Sequence, residues 1–158
     1  MKKNAATLYL AQAAAIAALY IALTVVLAPI SYGFIQVRVA EVLTVLPLLT
    51  PAAIPALFIG CMIANAYGGL GLADILGGSA VTLLAALATY RLRKRPEAIA
   101  LLPPVLFNAF LISIYLSPIL QVSYWLLVLS IGAGQTIAVY GLGLPLLRAL
   151  KKRRLFPG

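Results

Sequence analysis

Long hydrophobic runs, separated by short polar or proline-containing stretches, dominate the chain and predict membrane-spanning helices. A helix needs about 20 apolar residues to cross the hydrocarbon core of a bilayer. Residues 8–27 meet this length and end before Pro29, which disfavours helical backbone at the residue preceding it. The runs 72–90, 99–116 and 123–147 are of similar length. The pattern therefore predicts one helix in each of these four runs.

Two shorter hydrophobic runs lie between the first and second of these helices. Residues 39–49 run into Pro47 and Pro51, and residues 52–66 follow directly. Because proline lacks a backbone donor and interrupts a helix, we predict two shortened helices joined by a tight turn. The prediction is therefore an all-α bundle of six helices in a single domain that covers residues 1–158.

The composition indicates that lipid is the solvent of this bundle. Of the 158 residues, 64% are hydrophobic and 9% are charged, whereas a soluble domain of this length needs more charge to cover its surface. Helices satisfy their backbone hydrogen bonds internally, as a bilayer requires. We therefore predict an integral membrane protein with six transmembrane helices.

The basic residues that produce the net charge of +9 flank the hydrophobic runs. They cluster at Lys2 and Lys3, in residues 91–95 and in residues 148–154. Basic residues beside membrane spans favour the cytoplasmic side, whereas a nucleic-acid-binding protein carries a basic face on a soluble fold. An even number of helices places both basic ends on one side, so we expect the N- and C-termini in the cytoplasm.

Several kinds of catalytic and metal site are excluded by residues that the chain lacks. It has no histidine, and Cys61 is its one cysteine. An intrachain disulfide, a zinc site built from thiolates or imidazoles, and a histidine general base are therefore ruled out. The sequence also contains no Gly-x-x-x-x-Gly-Lys-Ser/Thr loop for ATP. We expect no enzyme activity, no metal site and no cofactor in this chain.

Polar residues within the hydrophobic runs mark a candidate ligand site. Polar and charged side chains are costly inside a membrane, and a charged one at the centre of a helix costs about 2.5–3.5 kcal/mol. Polar and charged residues at this depth are therefore expected to have a function. Six residues meet the description: Arg38, Glu41, Asn65, Asp74, Asn108 and Gln135. In the predicted topology the first four lie towards the outer side of the membrane, which predicts a pocket open to the outside.

Structural interpretations of the same residues are also open at this point. Asp74 can stabilise the N-terminus of its helix through the dipole and the free amides. Arg38 and Glu41 lie three residues apart and can form an ion pair at the interface. The three amide side chains can hydrogen-bond between helices, as is common in membrane bundles.

Small residues recur at helical spacing along the first predicted helix. They are Ala11, Ala14, Ala15, Ala18 and Ala22. Small side chains let the backbone of another helix approach closely. These alanines therefore predict either a packing face inside the bundle or a docking face for another membrane subunit.

Five segments of the chain resemble the QueT family. They are residues 37–51 (VRVAEVLTVLPLLTP), 59–65 (IGCMIAN), 74–86 (DILGGSAVTLLAA), 102–108 (LPPVLFN) and 140–147 (YGLGLPLL). Members of this family are S components, the substrate-binding subunits of energy-coupling factor (ECF) transporters, and are assigned to queuosine precursors. The resemblance extends over almost the whole chain in the correct order, which makes it specific.

The resemblance implies a fold and a transport cycle. S components are six-helix proteins of the bacterial cell membrane with both ends in the cytoplasm, and they capture a vitamin-like compound near the outer face under the loop after helix one. Their alanine motif docks on a transmembrane coupling subunit (EcfT-like), which two cytoplasmic ATPases (EcfA-like) drive. The loaded S component topples and releases its ligand inside, and the partner subunits hydrolyse the ATP.

The resemblance also implies a ligand of the 7-deazaguanine type, with preQ1, preQ0 and queuine as candidates. Such a base presents two adjacent N–H donors, which a carboxylate accepts as a fork. We assign the fork to Glu41 and expect Asp74 to bind a cationic side arm of the ligand. Arg38 would either donate to the carbonyl of the base or keep Glu41 ionised by its charge. Asn65, Asn108 and Gln135 would bind the remaining polar atoms, and Tyr32, Phe34 or Tyr115 would stack on the ring. Many members carry an acid where this chain has Gln135. If that acid pairs with a cationic aminomethyl group, the departure points to a different member of the same group of precursors.

Three alternatives remain open from the sequence. The first is a six-helix membrane scaffold or assembly protein, which would need no pocket. The second is a secondary transporter or channel that works without ATPase subunits. The third is an S component for a different vitamin.

Overall fold

The computed structural model describes residues 2–28 and 38–153, and these residues form helices and no strands. In chain order the helices are α1 (Lys2–Val26), α2 (Val39–Leu48), α3 (Ala53–Gly68), α4 (Ala73–Arg91), α5 (Glu97–Leu120) and α6 (Tyr124–Lys152). The predicted all-α class is therefore confirmed. The described part of the chain contains a helix for each hydrophobic run that the sequence predicts.

Four of these helices are long and apolar enough to cross a membrane. They are α1, over Ala5–Val26, and the full lengths of α4, α5 and α6. Helices α2 and α3 have 10 and 16 residues and are too short to meet the same criterion among the described residues. That both ends face the cytoplasm stays a prediction, which rests on the distribution of lysine and arginine.

The predicted tight turn between the two short helices is present. Helix α2 is wound as a 3₁₀-helix with Pro47 inside it, and it ends where the amides of Leu49 and Thr50 both donate to the carbonyl of Leu46, at 2.8 and 3.0 Å. The Thr50 hydroxyl then accepts a hydrogen bond from the amide of Ala52 at 3.3 Å. These bonds satisfy backbone groups that a helix end leaves free, so the chain reverses within a few residues.

Two glycines permit close helix packing in the bundle, one between α6 and α2 and the other between α3 and α1. A Cβ atom on Gly143 of α6 would lie 2.6 Å from Cγ1 of Val45 and 3.2 Å from the carbonyl oxygen of Val42. A Cβ atom on Gly60 of α3 would lie 3.1 Å from Cβ of Tyr20 in α1. Most side chains of α2 are consequently buried, including that of Glu41.

Large apolar side chains cover the outside of the bundle. Leu10, Val26, Trp125 and Leu129 each expose 65% or more of their surface. A soluble monomer rarely exposes apolar patches of this extent, whereas lipid accommodates them. The exterior of the described bundle therefore agrees with a membrane environment.

Three of the long helices contain a π-helical stretch. These stretches are Ala73–Gly78 in α4, Asn108–Ile112 in α5 and Ile137–Gly143 in α6. Such stretches occur frequently at functional sites because they redirect side chains within a helix. Asp74 and Asn108 lie inside the first two stretches, and Gln135 lies two residues before the third.

Candidate functional site

Glu41 is the centre of a polar cluster inside the bundle. It lies in the first turn of α2, and only 1% of its surface is exposed. Its Oε1 accepts a hydrogen bond from the hydroxyl of Tyr20 in α1 at 2.5 Å, and its Oε2 accepts one from Nδ2 of Asn108 in α5 at 3.2 Å. The carboxylate is therefore held by side chains from two other helices.

Asp74 is the centre of a second group of polar contacts. Its Oδ1 accepts a hydrogen bond from the hydroxyl of Tyr115 at 2.9 Å, and its backbone carbonyl accepts one from Nδ2 of Asn65 at 2.8 Å. Oδ1 of Asn65 in turn accepts a hydrogen bond from Nη1 of Arg38 at 3.0 Å. These contacts connect the residue before α2 with helices α3, α4 and α5.

A small cavity lies between the two groups. It is lined by Arg38, Glu41, Leu70, Asp74, Ile112, Leu116, Ile131 and Gln135. Its volume is about 20 Å³, which is enough for one water molecule, since a water needs roughly 10–15 Å³. The lining combines three charged side chains with an apolar wall, as small-molecule sites do.

Three buried oxygen atoms at this site have no hydrogen-bond partner among the described residues. They are Oδ2 of Asp74, Oδ1 of Asn108 and Oε1 of Gln135. The Asn108 amide directs its nitrogen towards Oε2 of Glu41, and its own oxygen is therefore the atom left without a partner. A buried polar atom without a partner costs about 1–3 kcal/mol. A ligand rich in N–H donors would remove that cost.

The structure brings together all six polar residues that the sequence marks. Arg38, Glu41, Asp74 and Gln135 line the cavity directly. Asn65 and Asn108 adjoin it through their hydrogen bonds to lining residues. Their role in ligand binding stays a prediction, but the clustering on which that role depends is present.

The three predicted stacking aromatics divide into two groups. Tyr115 lies at the site, where its hydroxyl donates to Asp74 and its ring packs beside Gly77. Tyr32 and Phe34 lie outside the described residues. Stacking on a flat ligand therefore stays a prediction for all three.

The structural interpretation of Asp74 as a helix cap finds no support in the hydrogen bonds. Its Oδ1 accepts from the Tyr115 hydroxyl, and its Oδ2 has no partner among the described residues. A capping carboxylate would accept from amides of the first helical turn. The side chain instead faces the cavity.

Sequence reasoning missed Tyr20, Cys61 and Thr82. All three are buried at the site. Tyr20 donates a hydrogen bond to Glu41. Sγ of Cys61 lies 3.4 Å from the Thr82 hydroxyl and 3.9 Å from Nη1 of Arg38. The available signal was a tyrosine in the middle of an apolar helix, because a buried tyrosine hydroxyl needs a hydrogen-bond partner. Nothing in the sequence indicates which partner it has.

The five alanines of α1 are exposed in the bundle. The opposite side of α1 is its buried seam, formed by Ile16, Tyr20 and Thr24 at four-residue intervals. The alanines therefore do not pack inside the described bundle, which leaves their docking role as the open prediction.

The side chains of the site are hydrogen-bonding and charged groups. Among the described residues, no three histidine, cysteine, aspartate or glutamate side chains come close enough to hold a metal ion. The groups that are present can accept and donate hydrogen bonds and hold charge. Two of them, the carboxylates of Glu41 and Asp74, line the same narrow cavity.

Comparison with known families assigns the chain. A family model described as QueT transporter matches residues 10–152. The chain belongs to the QueT transporter family. The match covers nearly the whole chain and confirms the resemblance found in its sequence. Neither the curated proteins nor the solved structures give a match.

Membership of the QueT transporter family agrees with the architecture of the chain. Four apolar helices of spanning length identify it as a membrane protein, and a transporter of this family handles a small molecule and is not expected to transform it chemically. In a QueT transporter the cavity between Glu41 and Asp74 is the natural candidate for the place where that molecule binds.

Proposed function

We propose that the chain is the substrate-capturing S component of an ECF importer for a queuosine precursor. The observation that carries the proposal is the buried cluster around Glu41 and Asp74, with its three unpaired acceptor atoms, inside a member of the QueT transporter family. The ligand would bind from the outer face and be released into the cytoplasm of the bacterial cell.

Glu41 has the capacity to accept the two N–H donors of a deazaguanine edge. Each carboxylate oxygen has two lone-pair positions, and the bonds from Tyr20 and Asn108 use one on each oxygen. One position on each oxygen is left for the ligand. Arg38, which lines the same cavity, would donate to the carbonyl beside these donors.

The charges of the site favour a cationic precursor. Two carboxylates, Glu41 and Asp74, and one guanidinium, Arg38, line the cavity, so the formal charge of the three is −1 when all are ionised. The unpaired Oδ2 of Asp74 can accept from an ammonium group. This supports preQ1, which carries an aminomethyl arm, over preQ0, whose nitrile can only accept a hydrogen bond.

Binding a bicyclic base requires the lining residues to move apart. The cavity of about 20 Å³ holds one water-sized molecule, and a base is several times larger. The π-helical stretches of α4 and α5 contribute Asp74 and Ile112 to the cavity lining, and such stretches occur frequently at functional sites. We propose that ligand entry widens the cavity there.

The exposed alanine face of α1 supports docking on a coupling subunit. An apolar groove of about 270 Å³ continues this face and is lined by Ala15, Ile16, Leu19, Leu43, Leu46, Leu146 and Leu150. Small residues beside an apolar groove suit close contact with another membrane helix. The partner would be an EcfT-like subunit driven by two EcfA-like ATPases, which hydrolyse the ATP.

The proposal is tested by measuring the melting temperature of the purified chain in detergent against a ligand panel. The panel holds preQ1, preQ0, queuine and guanine, with riboflavin and thiamine as unrelated controls. A ligand at 100 times its dissociation constant adds about 2.7 kcal/mol of stability, which gives a clear shift. We expect preQ1 to give the largest shift.

Each contrary result points to a defined alternative. Stabilisation by riboflavin or thiamine alone would indicate an S component for a different vitamin. An unchanged melting temperature with every compound would contradict the capture function and favour a scaffold. Uptake of preQ1 by liposomes that contain this chain alone would indicate a self-sufficient transporter.

A further inference from the structure

Tyr20 connects the polar cluster around Glu41 with α1, the helix whose opposite side carries the exposed alanines. Its side chain is fully buried, and its hydroxyl donates to Oε1 of Glu41 at 2.5 Å. The buried side of α1 consists of Ile16, Tyr20 and Thr24, and the hydroxyl of Thr24 bonds back to the carbonyl of Tyr20 at 2.9 Å.

The position of the Tyr20 ring is set by the crossing of α1 and α3. A Cβ atom on Gly60 would lie 3.1 Å from Cβ of Tyr20 and 3.3 Å from the carbonyl oxygen of Ala17. The two helices are therefore as close as a glycine permits. The hydroxyl of Tyr20 consequently reaches Glu41 only while α1 is seated against α3.

Two donors on opposite oxygens define the plane of the Glu41 carboxylate. Tyr20 holds Oε1, and Asn108 holds Oε2. A fork of two ligand N–H groups needs both oxygens in one plane with the base. With one of the two holding bonds removed, the carboxylate can rotate about its last bond and meet only one ligand donor at a time.

We infer that Tyr20 is a positioning residue that orients Glu41 for the ligand and makes ligand affinity depend on the seating of α1. The inference rests on the proposed function, in which Glu41 receives the fork. Helix α1 also carries the exposed alanine face. The Tyr20 hydroxyl would therefore couple ligand binding to the docking of a partner on that face, and each event would change the affinity of the other by the same factor. A partner that draws α1 away from α3 would weaken the hold on the ligand.

The test compares Tyr20→Phe with Tyr140→Phe as its matched control. Both substitutions remove one hydrogen-bonded hydroxyl, and Tyr140 donates to the carbonyl of Ala98 at 2.6 Å, away from the residues that line the cavity. Dissociation constants of the full-length chain are measured for preQ1 and for its analogue without the 2-amino group. The ratio of the two constants reports how well the fork is formed.

We expect Tyr20→Phe to weaken preQ1 binding about 10- to 100-fold, the range for a lost hydrogen bond to a charged group. The affinity for the analogue should fall far less. The dissociation constant of the analogue divided by that of preQ1 should therefore decrease at least about fivefold, because a carboxylate that is free to rotate gains little affinity from the 2-amino group. Tyr140→Phe should leave both constants within about twofold of the wild type.

Equal weakening of both ligands by Tyr20→Phe, with the ratio retained, would overturn the inference and leave Tyr20 as a packing residue. Unchanged constants in Tyr20→Phe would overturn it as well. These outcomes leave the proposed function intact, since the wild type still binds. A wild-type chain that binds neither compound would overturn both the proposed function and the inference.

Discussion

At the scale of single residues, the buried carboxylate of Glu41 is the feature that most needs an explanation. A buried charge is retained when it is paired and hydrogen-bonded, and here two neutral donors hold it. Replacing one member of such a set leaves the others buried without a partner, which is the main source of the expected effects on affinity.

Glu41→Gln should remove ligand binding without changing the shape of the site. The glutamine side chain offers one acceptor oxygen in place of two, and its NH2 group would face one of the ligand or protein donors that the carboxylate accepted. Affinity for preQ1 should therefore fall by about 2–5 kcal/mol. Isothermal titration of the purified chain measures the loss.

Glu97→Gln is the matched control for this change. Glu97 lies at the start of α5 and pairs with Arg148 at 3.2 Å and Lys151 at 2.8 Å, away from the cavity. Its substitution should leave affinity unchanged. The assignment of the pocket fails if Glu41→Gln and Asn108→Ala both bind the base as the wild type does.

Asp74→Asn should change which precursor the site prefers. The amide preserves an acceptor for Tyr115 but removes the negative charge that faces the cavity. Binding of cationic preQ1 should weaken about 10-fold or more, the effect of a hydrogen bond to a charged group. Binding of the neutral nitrile preQ0 should stay within a few-fold. An equal loss for both compounds would show that Asp74 does not recognise the cation.

At the scale of helices, the close approach of α6 to α2 decides how deeply Glu41 is buried. Gly143 faces Val45 and the backbone of Val42 at distances that leave no space for a side chain. Helix α2 is short and wound as a 3₁₀-helix, whose hydrogen-bond geometry is poorer than that of an α-helix. Its placement therefore depends on its neighbours more than on its own hydrogen bonds.

Gly143→Ala should destabilise the bundle by about 1–3 kcal/mol, the usual cost of overpacking a filled interior. Gly141→Ala is the control on the same helix, because its Cβ atom would meet nothing closer than Cγ2 of Ile137 at 3.9 Å. Thermal unfolding in detergent compares the two variants. Equal melting temperatures would mean that α2 can shift without cost.

At the scale of the whole molecule, the two faces of α1 separate ligand capture from partner docking. One face holds Tyr20 against Glu41, and the other presents small residues and an apolar groove to the outside. A substitution on the exposed face should therefore affect the transport cycle and leave the pocket intact.

Ala18→Leu should preserve binding of preQ1 and reduce its ATP-driven uptake at least about tenfold, because a larger side chain keeps a partner helix at a distance. Ala80→Leu, at an exposed alanine of α4, is the control and should leave both properties unchanged. Binding is measured on the purified chain, and uptake in cells that also express the coupling subunit and the ATPases. Normal uptake by Ala18→Leu would remove the alanine face from the docking surface.

Much of the element-level description was predictable from local sequence. The break between α2 and α3 follows from Pro51, since proline disfavours helical backbone at the residue preceding it, whereas Pro47 lies inside α2. The polar residues of the site were recognisable because lipid penalises a polar side chain whatever its neighbours are. The role of Tyr20 was not predictable, because a tyrosine in an apolar helix suits the lipid interface as well as a buried hydrogen bond.

By itself, the sequence determined the helical class, the membrane environment, the approximate helix bounds and the polar residues worth attention. These follow from composition and short-range pattern, because a bilayer requires each helix to satisfy its own backbone. Only the tertiary structure decided that Tyr20 meets Glu41 across 21 residues, that the alanines are exposed, and that the cavity is narrow. Those features depend on how closely helices cross at Gly60 and Gly143, and such crossings are set by the packing of the whole bundle.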